Sequence, residues 1–217
     1  MTDEQIWLNP AKVQNRPVYF SVKRMMDVLL SVLGLILISP LLLVICLLVK
    51  FDGSHGKVLY VQERVGKNGI HFKMLKFRSM VPNADQKLAE LKNKNEVEGA
   101  MFKIKDDPRI TKIGKFIRKY SLDELPQLFN VISGSMSLVG PRPPIPSEVE
   151  EYTDYDKQRL LVVPGCTGLW QTTARNSSDF NEMVNLDLDY IQKSSFSFDL
   201  KMMFDTVKIM IKPNAAY

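Results

Sequence analysis

Asp123 and Glu124 stand side by side in Ser121-Leu122-Asp123-Glu124-Leu125-Pro126-Gln127. Adjacent carboxylates at the start of a helix can divide labour, one attacking an electrophile while the other holds a divalent cation. Phosphoryl chemistry needs that division, because a carboxylate approaching a diphosphate is repelled unless a metal and arginines neutralise the charge. A blander reading competes. Ser121 with Glu124 three residues on is also a capping box, in which Glu124 only bonds the Ser121 amide and Asp123 is a first-turn acid favoured by the helix dipole. Spacing alone leaves both readings open.

Cations that could serve such a pair are spread along the chain. Gly140-Pro141-Arg142-Pro143-Pro144 sets an arginine on a stiff backbone, able to present a fixed bidentate fork to phosphate. Lys76 and Arg78 on a predicted strand, Arg118 ahead of the acidic pair, and Arg175 can add charge, although each alone also reads as a solvated side chain. His55 and His71 are remote from the cysteines and from each other, so a zinc site is not indicated. Neither GxxxxGK[ST] nor GxSxG occurs, which leaves ATP hydrolysis and nucleophile-elbow hydrolysis without support.

The element that must position these groups is a membrane segment. Residues 28–49 are 22 positions without a charge, with Ser39-Pro40 near the centre. About 20 apolar residues span a bilayer as a helix, but a proline removes a backbone hydrogen bond and kinks the chain. The Ser39 hydroxyl can satisfy a carbonyl freed there. Lys12, Arg16, Lys23 and Arg24 precede the run; Lys50, Lys57, Arg64 and Lys67 follow it. Positive charge favours the cytoplasmic side, so both ends ask for one side. A re-entrant helix-break-helix meets both demands, and a kinked single span meets one.

Residues 50–119 carry 17 Lys and Arg against 8 Asp and Glu, a basic stretch suited to an anionic lipid surface or a polyanionic substrate. No nucleic-acid-binding motif accompanies that charge. Cys46 and Cys166 make no disulfide framework, and the late, long apolar run is not a cleaved signal peptide. The expected elements are strands at 56–63 and 71–78 joined by a Gly66–Gly69 turn, a short helix at 84–94, and a basic amphipathic helix opened by Asp107-Pro108. The last fits either a bilayer surface or an ordinary core. Further helices are expected at 178–192 and 198–212. The chain divides into an interfacial leader (1–22), the re-entrant segment (23–50) and a compact cytoplasmic catalytic domain (51–217). The fold class is α+β, mostly helical, with a small β-hairpin.

Taken in order, Lys23-Arg24, Ser39-Pro40, Gln62-Glu63-Arg64-Val65-Gly66, Lys76-Phe77-Arg78-Ser79-Met80, Asp107-Pro108-Arg109-Ile110-Thr111, residues 121–127, Ser137-Leu138-Val139-Gly140-Pro141-Arg142-Pro143 and residues 164–171 resemble the monotopic phosphoglycosyl transferases, the bacterial sugar transferases that start glycans on a polyprenol phosphate. The resemblance implies that Asp123 attacks the β-phosphorus of a UDP-sugar, releasing UMP. Undecaprenyl phosphate then takes the sugar phosphate in a ping-pong cycle. It implies Mg²⁺ as cofactor, with Glu124 beside Asp123 as its ligands. It implies phosphate-binding roles for Arg142, Lys76 and Arg118, and an acidic site position at Asp187. Cys166 stands where the family usually has an aliphatic residue, and the large N-terminal region of the long forms is absent from this sequence. The C-terminal segment resembles the hexose-transferring exopolysaccharide and capsule branch. The implied location is the cytoplasmic face of the bacterial inner membrane, and a homodimer is compatible with the pattern.

Overall fold

Residue types explain the first helices directly. The computed structural model describes residues 5–84, 86, 107–174 and 179–211. Asn9 caps α1 (Pro10–Gln14) by accepting from the Lys12 amide, and Pro17 opens α2 (Pro17–Lys50) at a position where its missing N–H costs nothing. Leu33, Ile36, Leu37 and Leu43 on α2 are exposed, whereas Lys23, Asp27, Ser31, Ile45 and Val49 are buried. This is the one described helix long and apolar enough to cross a membrane.

Helical hydrogen bonding continues past the expected break: α2 runs from Pro17 to Lys50 with Pro40 inside it. Pro40 cannot donate to the Ile36 carbonyl four residues back, and Ser39 Oγ donates to that oxygen instead, at 2.8 Å. One replaced bond lets the helix pass the proline. The described part of the leader packs on the folded domain. Ile6 and Leu8 pack on the main core, Leu8 N donates to Gln158 Oε1 at 2.6 Å, and Trp7 meets Tyr155 edge-on at 5.4 Å. Apolar side chains at positions 6, 8 and 13 join the main core.

The hairpin forms as expected. β1 (Leu59–Val65) pairs antiparallel with β2 (His71–Phe77), Leu59 opposite Phe77 and Val65 opposite His71. Asn68 and Gly69 take the left-handed backbone that its turn needs. Helix α3 (Lys112–Lys119) starts later than the Asp107-Pro108 expectation. Asp107 is occupied by a buried ion pair with Arg109 at 2.6 Å, and Thr111 is the cap, accepting from Gly114 N at 2.9 Å. A Cβ on Gly114 would lie 1.9 Å from the Ser79 carbonyl oxygen, so a glycine lets α3 press on that strand end. The helix expected at 84–94 lies almost wholly outside the described residues.

A 3₁₀ turn, Leu122–Glu124, leads into α4 (Gln127–Ser133). Two three-residue strands that the sequence did not suggest, β3 (Ser137–Val139) and β4 (Gly165–Thr167), pair in parallel. Between them run α5 (Pro146–Glu150), α6 (Asp154–Lys157) and a 3₁₀ turn over Gln158–Leu161. Then follow α7 (Leu169–Thr173), α8 (Phe180–Lys193, capped by Asp179) and α9 (Phe196–Ile211). Val139, Val184, Leu188, Ile191 and Met202 form the main core. The described chain is thus mostly helical with a small sheet, as its fold class requires.

Both halves of α2 pack on this domain. Lys23 reaches buried Asp199 on α9 at 3.0 Å, and Asp27 accepts from Ser137 Oγ at 2.7 Å and from Leu138 N at 3.1 Å. Arg24 donates to the carbonyls of Val131 and Ile132 in the last turn of α4, Val131 O also accepting from Gly134 N at 3.0 Å. Beyond Pro40, Ile45 and Val49 join Phe77, Ile117, Leu122 and Leu125 in a second apolar cluster.

Candidate active site

Asp123 lies on the 3₁₀ turn between α3 and α4 and is 8% exposed. Ser121 ahead of it has φ 55°, a left-handed backbone uncommon for a residue with a Cβ and found disproportionately at functional turns. With Ser121 in that conformation its side chain makes no cap bond. Glu124 instead accepts from Lys76 Nζ of β2 at 2.8 Å. The capping-box alternative is therefore not what the pair forms: one carboxylate is sheltered and its neighbour is held by a cation. Leu122 and Leu125 fix the turn from below, packing on Ile45, Val49 and Ile117.

Arg142 is half-buried, with its guanidinium 5.7 Å from the Trp170 ring centre. Its backbone is held by groups distant in sequence. Arg159 Nη2 donates to the Arg142 carbonyl at 3.1 Å, while Arg159 Nε donates to Asp187 at 2.8 Å and Nη1 donates to the Tyr152 hydroxyl. Burial alone would lower the Arg159 pKa, and Asp187, Tyr152 and Glu148 together more than offset it. Burial raises the Asp187 pKa, and Arg159 and then Arg142 oppose that rise; Asp187 Oδ1 has no hydrogen-bond partner among the described residues. The same loop is pinned from its other side. Gly140 N donates to Thr167 O at 2.8 Å and Gly165 N to Pro141 O at 2.9 Å, and a Cβ on Gly165 would lie 2.1 Å from Gly140 N.

Arg64, from the Gln-Glu-Arg-Val-Gly motif, was not among the sequence candidates and belongs with them. It is buried on β1, donating to Pro143 O at 2.8 Å and to Gln62 Oε1 at 2.7 Å, while its Nε has no partner among the described residues. Burial first, then the neighbouring Arg142, bring its pKa down to about 10, against the upward pull of Glu148 and Glu124. Two guanidinium groups close enough for one to lower the pKa of the other suit a polyanionic ligand, which would relieve their repulsion. Cys166 lies under this cluster. Burial and then Glu124 push its thiol well above the ordinary range, which makes it an inert packing group and no nucleophile.

The structure thus brings Asp123, Glu124, Lys76 and Arg142 into one region and adds Arg64. Arg118, on the last turn of α3, is half-buried and near enough to Asp107 to help Arg109 hold that carboxyl below its ordinary value against its burial. Arg78 faces elsewhere. It donates to Val49 O at 2.7 Å, to Lys57 O at 2.7 Å, to Ser54 Oγ and to Asp52, stapling the end of α2 to the loop beyond it. Asp187 is fully buried against Arg159 and acts on the site through the Arg142 loop. Arg175 lies outside the described residues. The buried arginines of positions 64 and 159 carried little local signal, because arginine in an amphipathic segment ordinarily reads as solvated.

Among the described residues no three His, Cys, Asp or Glu side chains converge as a ready metal cage. Mg²⁺, however, is commonly held by one or two carboxylates together with substrate phosphates, and the adjacent Asp123 and Glu124 fit that shared form.

The family described as Bacterial sugar transferase matches residues 18–213. Galactosyl transferase CpsE of Streptococcus agalactiae is 46% identical over 87% of this chain and 42% of its own length. Undecaprenyl-phosphate galactose phosphotransferase of Salmonella typhimurium is 44% identical over 90% of this chain and 42% of its own length. Exopolysaccharide production protein ExoY of Rhizobium meliloti is 42% identical over 93% of this chain and 91% of its own length. The chain therefore spans less than half of the first two relatives and nearly all of the third. With the match running from the start of α2 to beyond the end of α9, through every element that builds the carboxylate and arginine cluster, the chain belongs to the bacterial sugar transferase family.

Proposed function

We propose that the protein transfers a sugar 1-phosphate from a UDP-sugar to undecaprenyl phosphate at the cytoplasmic face of the bacterial inner membrane, opening the assembly of an exopolysaccharide or capsule. The observation that carries this reading is the sheltered Asp123 beside a lysine-held Glu124 and two arginines, on a turn whose underside packs directly on the membrane helix. The relatives' names supply the acceptor class, and galactose, named for two of them, makes a hexose the favoured sugar.

In the proposed chemistry an Asp123 carboxylate oxygen attacks the β-phosphorus of the donor. The bond from that phosphorus to the bridging oxygen breaks, and UMP leaves with the electron pair. A sugar phosphate remains on the aspartate as an acyl phosphate. An oxygen of the acceptor phosphate then attacks the same phosphorus, forming a diphosphate and returning the carboxylate. Arg142, on its clamped backbone, and Arg64 hold donor phosphate oxygens. Lys76 holds Glu124 in place through their ion pair. Glu124, with Asp123 beside it, would hold Mg²⁺, which when bound neutralises diphosphate charge.

The membrane segment is proposed to be re-entrant. A helix crossing straight through would carry its far end about 30 Å from the near side. Here residues 23–27 and residues 45–49 both pack into one domain, which supports both ends lying on one face.

The test uses purified full-length protein in lipid, with a panel of UDP-sugars, undecaprenyl phosphate and Mg²⁺. UMP release and a lipid-linked product are expected from UDP-galactose or UDP-glucose, with sugar phosphate retained on the protein when acceptor is omitted. Asp123→Asn is expected to lower turnover at least 10³-fold, in line with removal of a nucleophile. Wild-type turnover in that variant would remove Asp123 from the mechanism.

A further inference from the structure

Residues 6–8 of the leader lie against a short turn that also holds the arginine loop. Ile6 N donates to the Tyr155 hydroxyl at 3.1 Å, and Leu8 N donates to Gln158 Oε1 at 2.6 Å. Gln158 Nε2 donates back to the Ile6 carbonyl at 3.4 Å and to the Tyr155 carbonyl at 3.0 Å. Both polar atoms of that side-chain amide are thereby committed, and the leader backbone pairs with it as it would with a strand edge. Tyr155 carries the contact onward, donating to Asn185 Oδ1 on α8 at 2.7 Å.

The next residue, Arg159, serves the opposite side of the turn. Its guanidinium donates to the Arg142 carbonyl and to Asp187, so one peptide bond separates the leader's contact from the clamp on Arg142. The turn itself, Gln158–Leu161, is a four-residue 3₁₀ segment. Such segments have poor internal hydrogen-bond geometry and take their position from what their side chains hold. Gln158 and Arg159 are both buried. Packing of Ile6, Leu8 and Val13 on the main core would be served equally by a leucine at 158, without the cost of burying an amide. The amide at this position instead fixes the register of the leader against the turn.

We propose that Gln158 is a positioning residue for the donor site and that residues 6–8 are its strap. By holding Gln158 they set Arg159, and through it the backbone that aims the Arg142 fork at phosphate. An oriented contact of this kind loses much of its effect when displaced by about 1 Å. The proposal rests on the reading of Arg142 as a ligand of the donor phosphates. It gives the leader a part in donor binding, separate from anything it contributes at the membrane.

The experiment uses full-length protein in lipid. Gln158→Leu removes the amide, and Leu8→Pro removes the leader's donor while staying apolar. Val13→Ala thins the leader's packing on the same core without touching either group, and so measures a merely structural loss. The KM for the UDP-sugar is expected to rise about fivefold in the first two variants, with the KM for undecaprenyl phosphate within twofold of wild type. Val13→Ala is expected to lower the melting temperature and to leave both KM values within twofold. Placed in an Arg142→Lys background, Gln158→Leu is expected to add less than twofold, because its effect passes through Arg142.

UDP gives a readout that needs no turnover. Trp170 lies beside Arg142, and the one other tryptophan, Trp7, is replaced by phenylalanine to keep a ring against Tyr155. Titrated by Trp170 fluorescence in that protein, the Kd for UDP is expected to weaken about fivefold on Gln158→Leu. A donor KM in both strap variants within twofold of that of Val13→Ala, or an unchanged UDP Kd, overturns the proposal. A full fivefold effect of Gln158→Leu in the Arg142→Lys background also overturns it. Failure of the wild-type protein to release UMP from any UDP-sugar would instead strike the transferase reading, so the two failures are distinct.

Discussion

Glu124 is held by Lys76 and not by the amide of Ser121, and that choice of partner sets this turn apart from an ordinary capped helix start. The left-handed Ser121 denies the cap its geometry and leaves the carboxylates facing cations brought by β1, β2 and the 140–144 loop. Arg142 illustrates a second residue-scale point: its backbone is fixed by the carbonyl contact from Arg159, which is itself buried against Asp187. Two consequences separate chemistry from support. Arg142→Lys keeps the charge and loses the planar fork, so the KM for the UDP-sugar is expected to rise about tenfold with an unchanged melting temperature. Asp187→Asn leaves the Arg159 charge buried and unpaired, at a cost of about 3–5 kcal/mol, and is expected to lower the melting temperature along with activity. Equal melting temperatures for the Asp187→Asn and wild-type proteins would show that Asp187 does not act through this pair.

Among the elements, α2 and α3 determine where the turn sits. Arg24 closes the C-terminal carbonyls of α4, the helix that continues the catalytic turn, so the membrane helix and the turn are tied at both ends of α4. Helix α3 depends on a close approach at Gly114. In an isolated helix alanine would be better than glycine by about 1 kcal/mol. Here the added Cβ would fall 1.9 Å from the Ser79 carbonyl oxygen, and backbone must move. Gly114→Ala is therefore expected to destabilise the protein by about 1–3 kcal/mol, read as a lower melting temperature in detergent; a rise would show that α3 has room to lift. The hairpin and helices α8 and α9 were legible in advance because period-2 and period-3.6 patterns are local. Strands β3 and β4 were not, because three residues within a Gly- and Pro-rich stretch have no period to read, and their pairing joins Ser137 to Gly165 across the intervening helices.

For the whole molecule, the telling fact is that one domain receives both halves of the apolar helix. Single cysteines placed at Val18 and at Gly53, in a background lacking Cys46 and Cys166, are expected to react with an impermeant maleimide from the cytoplasmic side only. Labelling from opposite sides would establish a single span and remove the re-entrant proposal. The sequence by itself determined the membrane segment, its hydroxyl-plus-proline pair, the hairpin, the acidic turn and the family pattern. These are written in runs of neighbouring residues, where composition and spacing act directly. Only the tertiary structure decided that the helix continues through Pro40, that Arg78 bonds to the end of α2 and Asp187 to Arg159, and that Arg64 and Arg159 meet the 142–143 backbone. The physical reason is the same in each case. A charged side chain far in sequence from its partner takes its role from what buries and pairs it, and no local pattern records that partner.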